Sequence, residues 1–336
     1  MRIAIIGAGS WGTAVAGIVG TKHSAVLWAR RPEVAAAINS TRHNPSYLTG
    51  YQLPESVTAT TDLSGAVGNA EAVIFGVPSH GYRDVLDQVA SHIAPDTPVV
   101  SLTKGIEQGT LMRMTQVTAD VLADHDSGSI GVLTGPNLAN EIAMGQPAAS
   151  VVAFENLDVA ELLQGIFMTP TFRVYTNTDV VGAEAAGALK NAMAIAAGMA
   201  DGLGFGDNTM AALITRALAE LTRLGVAMGG RPTTFAGLAG MGDLIATCSS
   251  SSSRNHRVGY GLGRGQSLNE IISEMNMVAE GVKSTRGILD LAARHEVEMP
   301  ITEQVGRVLY EGASPAEAVA TLMTRGARSE HDTYDA

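Results

Sequence analysis

The sequence predicts a two-domain protein in which a doubly wound α/β sheet comes first and an all-α domain follows. The chain has 336 residues, 46% of them hydrophobic, which is enough apolar material for two cores. Short apolar runs alternate with helical periodicity as far as residue 177, and strand-like runs stop there. We therefore divide the chain into domains at 1–177 and 178–336.

Seven apolar runs are predicted as strands because they are short and continuous, a pattern typical of strands covered by helices on both faces. They are residues 2–6, 25–29, 72–77, 98–102, 130–134, 149–154 and 172–176. Helices are predicted between them, including 12–20, 81–93, 110–124 and 157–167. Since strands and helices alternate, we expect parallel pairing through right-handed crossovers.

The second half is predicted to be helical throughout. Residues 183–200 are rich in alanine and glycine, so this helix should pack closely against its neighbours. Asn208 and Ser267 are expected to be N-caps. The other predicted helices are 208–226, 234–247, 267–275, 282–295, 301–310 and 315–324, and the polar tail from Arg325 should fray.

Composition excludes several classes of protein. A net charge of −11 argues against a nucleic-acid binder that uses a basic surface. The single cysteine, Cys248, cannot form an internal disulfide, and it is expected to be a small core residue. No run of 18 apolar residues or cleavable signal is present, so we expect a cytoplasmic chain without a membrane span.

The segment Gly7–Gly12 carries a G-x-G-x-x-G motif between the first strand and the first helix. In that context Gly7 would allow the tight turn, Gly9 the approach of a pyrophosphate, and Gly12 close packing of helix on strand. The phosphates would lie at the helix N-terminus near Ser10. The motif predicts a Rossmann-type dinucleotide site; the alternative is a purely structural glycine turn.

The end of the second strand favours NADP(H) over NAD(H). Arg30 and Arg31 follow that strand, and the first acidic residue is Glu33. An arginine there accommodates a 2′-phosphate, whereas an acid binds the 2′-hydroxyl of NAD. The alternative is that both arginines are surface charges and Glu33 binds the ribose.

Lysine is scarce in this chain, which has four lysines among its 22 basic residues. Lys104 follows a predicted strand at the edge where open parallel sheets bind ligands. Lys190 lies within an apolar helix, where burial is expected to lower its pKa and suit it to exchange a proton with a carbonyl or an alcohol. Lys22 is expected to be solvated. Whether Lys104 and Lys190 face one site is open at this stage.

Ten sequence blocks, in order, resemble the NAD(P)-dependent glycerol-3-phosphate dehydrogenases of the soluble bacterial type. The resemblance runs from residue 2 to about residue 325, and LKN, GDL and SRN are its most specific parts. The blocks are GAGSWGTA (7–14), VPSH (77–80), SLTKGIE (101–107), TGPNLANEIA (134–143), GALKN (187–191), GDNT (206–209), GLAGMGDLIATC (237–248), SRN (253–255), VAEGVKS (278–284) and EMPI (298–301).

The resemblance implies reversible reduction of dihydroxyacetone phosphate to sn-glycerol 3-phosphate, a precursor of phospholipids. It leaves NADPH, which Arg30 and Arg31 favour, as the preferred cofactor with NADH possible. It also implies a homodimer and a second domain like the C-terminal domain of 6-phosphogluconate dehydrogenase. In the same way, Lys190 would donate or accept the proton and Lys104 would contact cofactor and substrate. Asp243 and Thr247 would arrange the reacting groups.

The resemblance also implies further contacts. On the substrate side these are Gly135, Asn137, Asn191, Ser253, Arg254 and Asn255, together with Lys104, Lys190 and Asp243. On the cofactor side they are Gly7, Gly9, Ser10, Trp11, Gly12, Arg30, Arg31, His80, Lys104, Ala139, Arg254, Val278 and Glu280. Asn137 stands where the family more often has serine, so its contact should be altered in reach or lost. No metal-binding motif is present, so no metal is expected.

Two other functions share parts of this sequence pattern. A dehydrogenase of β-hydroxyacids would share the fold, but the SRN block argues for a phosphorylated substrate, which Arg254 can bind as a fork. A non-catalytic NADP(H) sensor would not explain why a lysine, Lys190, lies within an apolar helix.

Overall fold

The computed structural model describes residues 1–275, 279–327 and 329–330. The chain forms two compact units. The first comprises Met1–Glu107 and Met112–Val180, and the second comprises Gln108–Leu111 and Val181–Ala336. All strands of the described residues lie in the first unit, and the second is helical, so the predicted fold class is confirmed.

Eight strands form one sheet in the order β3-β2-β1-β4-β5-β6-β7-β8. The strand order reverses between β1 and β4, and open α/β sheets bind ligands beyond the carboxyl ends of the strands at such a point. The strands are β1 (Arg2–Ile6), β2 (Ser24–Trp28), β3 (Val57–Thr60), β4 (Ala72–Phe75), β5 (Val99–Ser101), β6 (Ile130–Thr134), β7 (Ala148–Phe154) and β8 (Phe172–Asn177).

Helices cover both faces of this sheet. Along β1, Ile3 and Ile5 belong to one apolar core, and Ala4 and Ile6 belong to the other. This is why the strands are continuously apolar. The helices are α1 (Ser10–Gly20), α2 (Pro32–Thr41), α3 (Leu63–Val67), α4 (Tyr82–Asp87), α5 (Met114–Val121), α6 (Ala139–Ala143) and α7 (Leu157–Phe167).

The sheet differs from the prediction in two respects. Strand β3 was not predicted, because VTAT has only two apolar residues and lies at the sheet edge. The pairing of β6 with β7 is antiparallel, so the expectation of parallel pairing is wrong there. Helix α6 has five residues and spans about 7.5 Å, which is too short to carry the chain back along a strand for a crossover.

Nine helices make up the described part of the second half. They are α8 (Val180–Gly202), α9 (Asp207–Ala227), α10 (Pro232–Phe235), α11 (Asp243–Ser249), α12 (Arg254–Gly263), α13 (Leu268–Glu274), α14 (Glu280–Arg294), α15 (Pro300–Tyr310) and α16 (Pro315–Met323). The predicted helix 234–247 is broken, because a π-helical turn, Leu238–Gly242, separates α10 from α11. Ser267 is an N-cap, as predicted. Asn208 is not, because α9 begins one residue earlier and is capped by Gly206.

Helices α8 and α12 touch backbone to backbone. A Cβ on Gly198 would lie 2.0 Å from the carbonyl oxygen of His256, and one on Gly259 would lie 2.0 Å from that of Ile195. One turn further along, Gly202 and Gly263 approach each other in the same way. Helix α12 was not predicted because its glycines lower helix propensity, and packing against α8 overrides that preference.

Glu220, on α9, is buried beneath the start of α15. Its carboxylate accepts hydrogen bonds from the backbone N–H of Ile301 at 2.7 Å and of Thr302 at 3.4 Å. Burial raises the pKa of Glu220 to about 7, and these hydrogen bonds oppose the shift only in part.

Among the described residues, no helix is both long enough and apolar enough to span a membrane.

Candidate active site

The glycine turn after β1 requires glycine at two positions for structural reasons. Gly7 has a φ of +121°, and a Cβ on Gly12 would lie 1.9 Å from the Gly7 carbonyl oxygen. Gly9 is different, because its φ is −76° and a Cβ there would meet no protein atom within 4 Å. No contact within the described chain therefore requires glycine at this position. The open space lies at the N-terminus of α1, and so the turn fits a dinucleotide pyrophosphate.

Asn44 holds this turn in place. It is fully buried, and its amide nitrogen donates to the Ala8 carbonyl at 3.0 Å and to the Thr13 hydroxyl at 2.9 Å. Its amide oxygen accepts hydrogen bonds from the backbone N–H of Ser46 and Tyr47. One side chain thus ties the loop after α2 to both ends of the glycine turn.

The two arginines after β2 differ in how they are engaged. Arg31 donates to the Ser46 hydroxyl at 2.6 Å, and its Nε lies 3.7 Å from the Glu33 carboxylate. Arg30 is exposed and makes no hydrogen bond or ion pair with any described residue. Because Gly7 bonds to the carbonyl of Trp28 at 3.2 Å, these arginines follow a strand end that adjoins the glycine turn.

Lys104 and Gly135 are brought together at the carboxyl ends of β5 and β6. The Lys104 ammonium donates to the Gly135 carbonyl at 2.9 Å. Gly135 has a φ of +136°, which favours glycine there. Asn137 donates from its amide nitrogen to the hydroxyl of Ser150 at 3.0 Å. The predicted residues Lys104, Gly135 and Asn137 therefore share one cluster in the first unit.

A second cluster, in the second unit, centres on Lys190. Its side chain is 6% exposed, and its ammonium lies 2.9 Å from the Asp243 carboxylate, which is 3% exposed. The ammonium also donates to the hydroxyl of Thr247. Thr247 in turn lies within hydrogen-bond distance of the backbone carbonyl and the carboxylate of Asp243. The carboxylate balances the buried ammonium, and the π-helical turn presents Asp243 at the start of α11.

An amide network adjoins this cluster. Asn255 donates to the side-chain oxygen of Asn191 at 3.0 Å and accepts from the backbone N–H of Gly281 at 2.9 Å. Ser253 is the N-cap of α12 and accepts from the backbone N–H of His256. Arg254 is the first residue of that helix and is exposed. Ser253 therefore has a structural role as a helix cap in addition to its predicted contact with the substrate.

The other predicted cofactor residues lie at element ends. Ser10, Ala139 and Glu280 begin α1, α6 and α14, and His80 lies in a short 3₁₀ turn after β4. Trp11 packs edge-on against Phe172 with ring centroids 6.2 Å apart. Val278 lies outside the described residues.

Cys248 lies close to the Lys190 cluster but is buried. Burial raises the pKa of its thiol to about 12, and the charge of Lys190 opposes this shift. A thiolate nucleophile is therefore disfavoured at this position.

Comparison with known proteins decides the family. The model of the NAD-dependent glycerol-3-phosphate dehydrogenase N-terminus matches residues 2–160, and that of the C-terminus matches residues 179–320. The chain belongs to the NAD-dependent glycerol-3-phosphate dehydrogenase family. Within this family, the chain is 54% identical over 331 residues to glycerol-3-phosphate dehydrogenase [NAD(P)+] of Streptomyces griseus subsp. griseus, with 98% of each chain covered. The corresponding protein of Thermobifida fusca is 51% identical, with the same coverage.

A solved structure of glycerol-3-phosphate dehydrogenase agrees with this assignment. The enzyme from Coxiella burnetii is 37% identical, has a TM-score of 0.91, and is matched over 96% of this chain and 99% of its own. As a member of this family, the chain is an NAD(P)-dependent oxidoreductase with a Rossmann-type first domain.

Two positioning residues were missed in the sequence. Asn44 precedes a proline, which marks a turn but gives no sign that its side chain reaches the glycine turn. Ser150 lies in an apolar strand, where a lone serine resembles any small buried residue. Both act through hydrogen bonds to residues distant in sequence, and nothing local in the sequence indicates such contacts.

Proposed function

We propose that this chain catalyses the reversible, NADPH-linked reduction of dihydroxyacetone phosphate to sn-glycerol 3-phosphate and so supplies glycerophospholipid synthesis. We also propose that it acts in the cytoplasm as a homodimer, with functional domains at 1–177 and 178–336. The observation that carries the proposed reaction is the buried Lys190 ammonium with its Asp243 and Thr247 partners.

Lys190 is the proton donor in ketone reduction. Its ammonium gives a proton to the carbonyl oxygen as that oxygen becomes an alkoxide, and it takes the proton back in alcohol oxidation. An arginine could not replace it, since a guanidinium does not release its proton at neutral pH. Asp243 and Thr247 hold the ammonium by hydrogen bonds, so its position is fixed before the substrate arrives.

Arg254 binds the substrate phosphate, and Asn255 supports it. Arg254 is exposed at the N-terminus of α12, where the helix dipole also favours an anion. Asn255 is held between Asn191 and the backbone N–H of Gly281. Lys104 adds a positive charge for the anionic substrate and cofactor.

The cofactor, when bound, supplies the hydride. Gly9, Ser10 and the N-terminus of α1 would hold its pyrophosphate. Arg30 would bind the 2′-phosphate that distinguishes NADPH, because Arg31 is already engaged by Ser46 and Glu33. Arg30→Ala should therefore weaken NADPH binding about tenfold or more and leave NADH binding nearly unchanged. Arg31→Ala is the matched control, and an equal loss in both variants would contradict this assignment.

The test of the reaction follows the absorbance of NADPH in the presence of dihydroxyacetone phosphate. We expect rapid cofactor oxidation by the wild type and none by Lys190→Ala, while fluorescence titration shows that the variant still binds NADPH. Lys22→Ala is the control lysine, since Lys22 contacts carbonyls beside α7, and it should keep its activity. Normal turnover by Lys190→Ala would exclude Lys190 as the proton donor.

A further inference from the structure

Ser150 makes two hydrogen bonds with the turn 134–137 and lies close to Gly135 within it. Its hydroxyl donates to the backbone carbonyl of Thr134 at 2.7 Å, and its oxygen accepts from the amide nitrogen of Asn137 at 3.0 Å. The same oxygen lies 3.3 Å from where a Cβ on Gly135 would stand. Ser150 is fully buried, so these contacts are shielded from water. The turn it holds carries the carbonyl that receives the Lys104 ammonium.

This chain of hydrogen bonds fixes which way the Asn137 amide points. Ser150 has a single O–H, and the Thr134 carbonyl can only accept, so the serine proton is given to Thr134. The serine oxygen can then only accept, and the group that faces it must be the amide nitrogen of Asn137. The Asn137 amide oxygen therefore points away from Ser150.

That amide oxygen is buried and has no hydrogen-bond partner among the described residues. A buried acceptor without a donor is unfavourable, and bulk water does not reach this one. The hydroxyl of Thr134, at the same end of β6, is also buried and unpartnered within the described chain. A hydrogen-bond donor on a bound ligand would satisfy the Asn137 oxygen.

We propose that Ser150 is a positioning residue: it turns the Asn137 amide, a substrate contact that the family resemblance already implies, so that its oxygen accepts a hydrogen bond from the terminal hydroxyl of the substrate. The inference rests on the proposed reaction. Dihydroxyacetone phosphate, with its phosphate doubly ionised, carries one O–H group, and an acceptor-only oxygen can bind that hydroxyl but not the reacting ketone oxygen. A serine at 137 could donate as well as accept, so asparagine makes the position selective for a donor.

The test compares two ketones, dihydroxyacetone phosphate and hydroxyacetone phosphate, which lacks the terminal hydroxyl. The measured quantity is the ratio of their kcat/KM values. We expect Asn137→Ala to lower the wild-type preference for dihydroxyacetone phosphate about tenfold, mainly through loss of activity on that substrate. Ser150→Ala should lower the preference about threefold, because the freed amide can rotate. The double variant should be no worse than Asn137→Ala, since both changes remove one interaction.

Ser129→Ala is the matched control, because Ser129 is a buried serine at the opposite end of β6 that bonds to Asp126 at 2.9 Å. It should leave the ratio unchanged. A purely structural role for Ser150 would lower both kcat/KM values equally and leave the ratio unmoved, which would overturn the proposal. Weaker NADPH binding by Asn137→Ala with an unchanged ratio would also overturn it, because the donor would then be the cofactor.

If Ser150→Ala does not fold, Ser150→Cys retains a weak donor and acceptor and should shift the ratio in the same direction. The proposed function fails separately from this inference. A wild type that reduces neither ketone refutes the reaction and the inference together, whereas a wild type that reduces dihydroxyacetone phosphate with a ratio insensitive to Asn137→Ala refutes only the inference.

Discussion

Replacing Lys190 with methionine tests whether the Lys190–Asp243 ion pair is as buried as its geometry indicates. Methionine keeps an unbranched side chain but removes the charge. The pair is joined at 2.9 Å with side-chain exposures of 6% and 3%, so the variant removes the Lys190 charge from beside a buried carboxylate. Breaking a pair of this kind costs about 3–5 kcal/mol. For a unit of this size, that loss lowers the melting temperature by about 6–20 °C.

The double variant Lys190→Met/Asp243→Leu separates stability from catalysis. Since an apolar pair can replace a buried ion pair without loss, the double variant should melt close to the wild type or above it. Both variants should be inactive, because each lacks the proposed proton donor. Circular dichroism melts and NADPH oxidation rates give the two readouts. A Lys190→Met protein that melts with the wild type would show that water reaches Asp243, and the argument from burial would be wrong.

Three further predictions concern the second unit. Gly259→Ala should destabilise the chain by about 1–3 kcal/mol in urea unfolding, because its Cβ cannot fit beside the Ile195 carbonyl. Glu220→Gln should stabilise it above pH 7: the pKa of Glu220 is raised from 4.5 to about 7, so the folded state binds the extra proton and wild-type stability falls as pH rises through that window. The gain should vanish below pH 4.5. Cys248 should resist iodoacetamide at pH 8 until the chain unfolds, because its thiol pKa is raised to about 12 by burial.

Periodicity predicted much of the fold because most of the elements bury continuous or amphipathic apolar faces. It missed β3 and α12, whose stability comes from a neighbour rather than from their own composition. Strand β3 pairs with β2 at the sheet edge, and α12 depends on contact with α8. Strand β7 was predicted, but its antiparallel direction was not, because strand direction depends on the length of the connection.

The sequence predicted which residues belong to the candidate site, but it did not predict which of them contact one another. Its place in an apolar helix singled out Lys190, and the family resemblance singled out Asp243, but only the structure shows them 2.9 Å apart. Lys22 is exposed, as expected, but nothing in the sequence indicates that its ammonium also donates to the carbonyls of Gly165 and Met168 at the end of α7. Pairings of this kind join distant parts of the chain, so they follow from the tertiary fold and have no local pattern.

We expect the glycine contact between α8 and α12 to determine when the second unit becomes functional during folding. The two helices are separated in sequence by α9, α10 and α11, so their contact requires closure of a long loop, which comes at an entropic cost. Lys190 lies on α8, and Arg254 is the first residue of α12. A partly folded second unit lacks this arrangement, and refolding chains should regain catalytic activity only in the phase that joins α8 to α12.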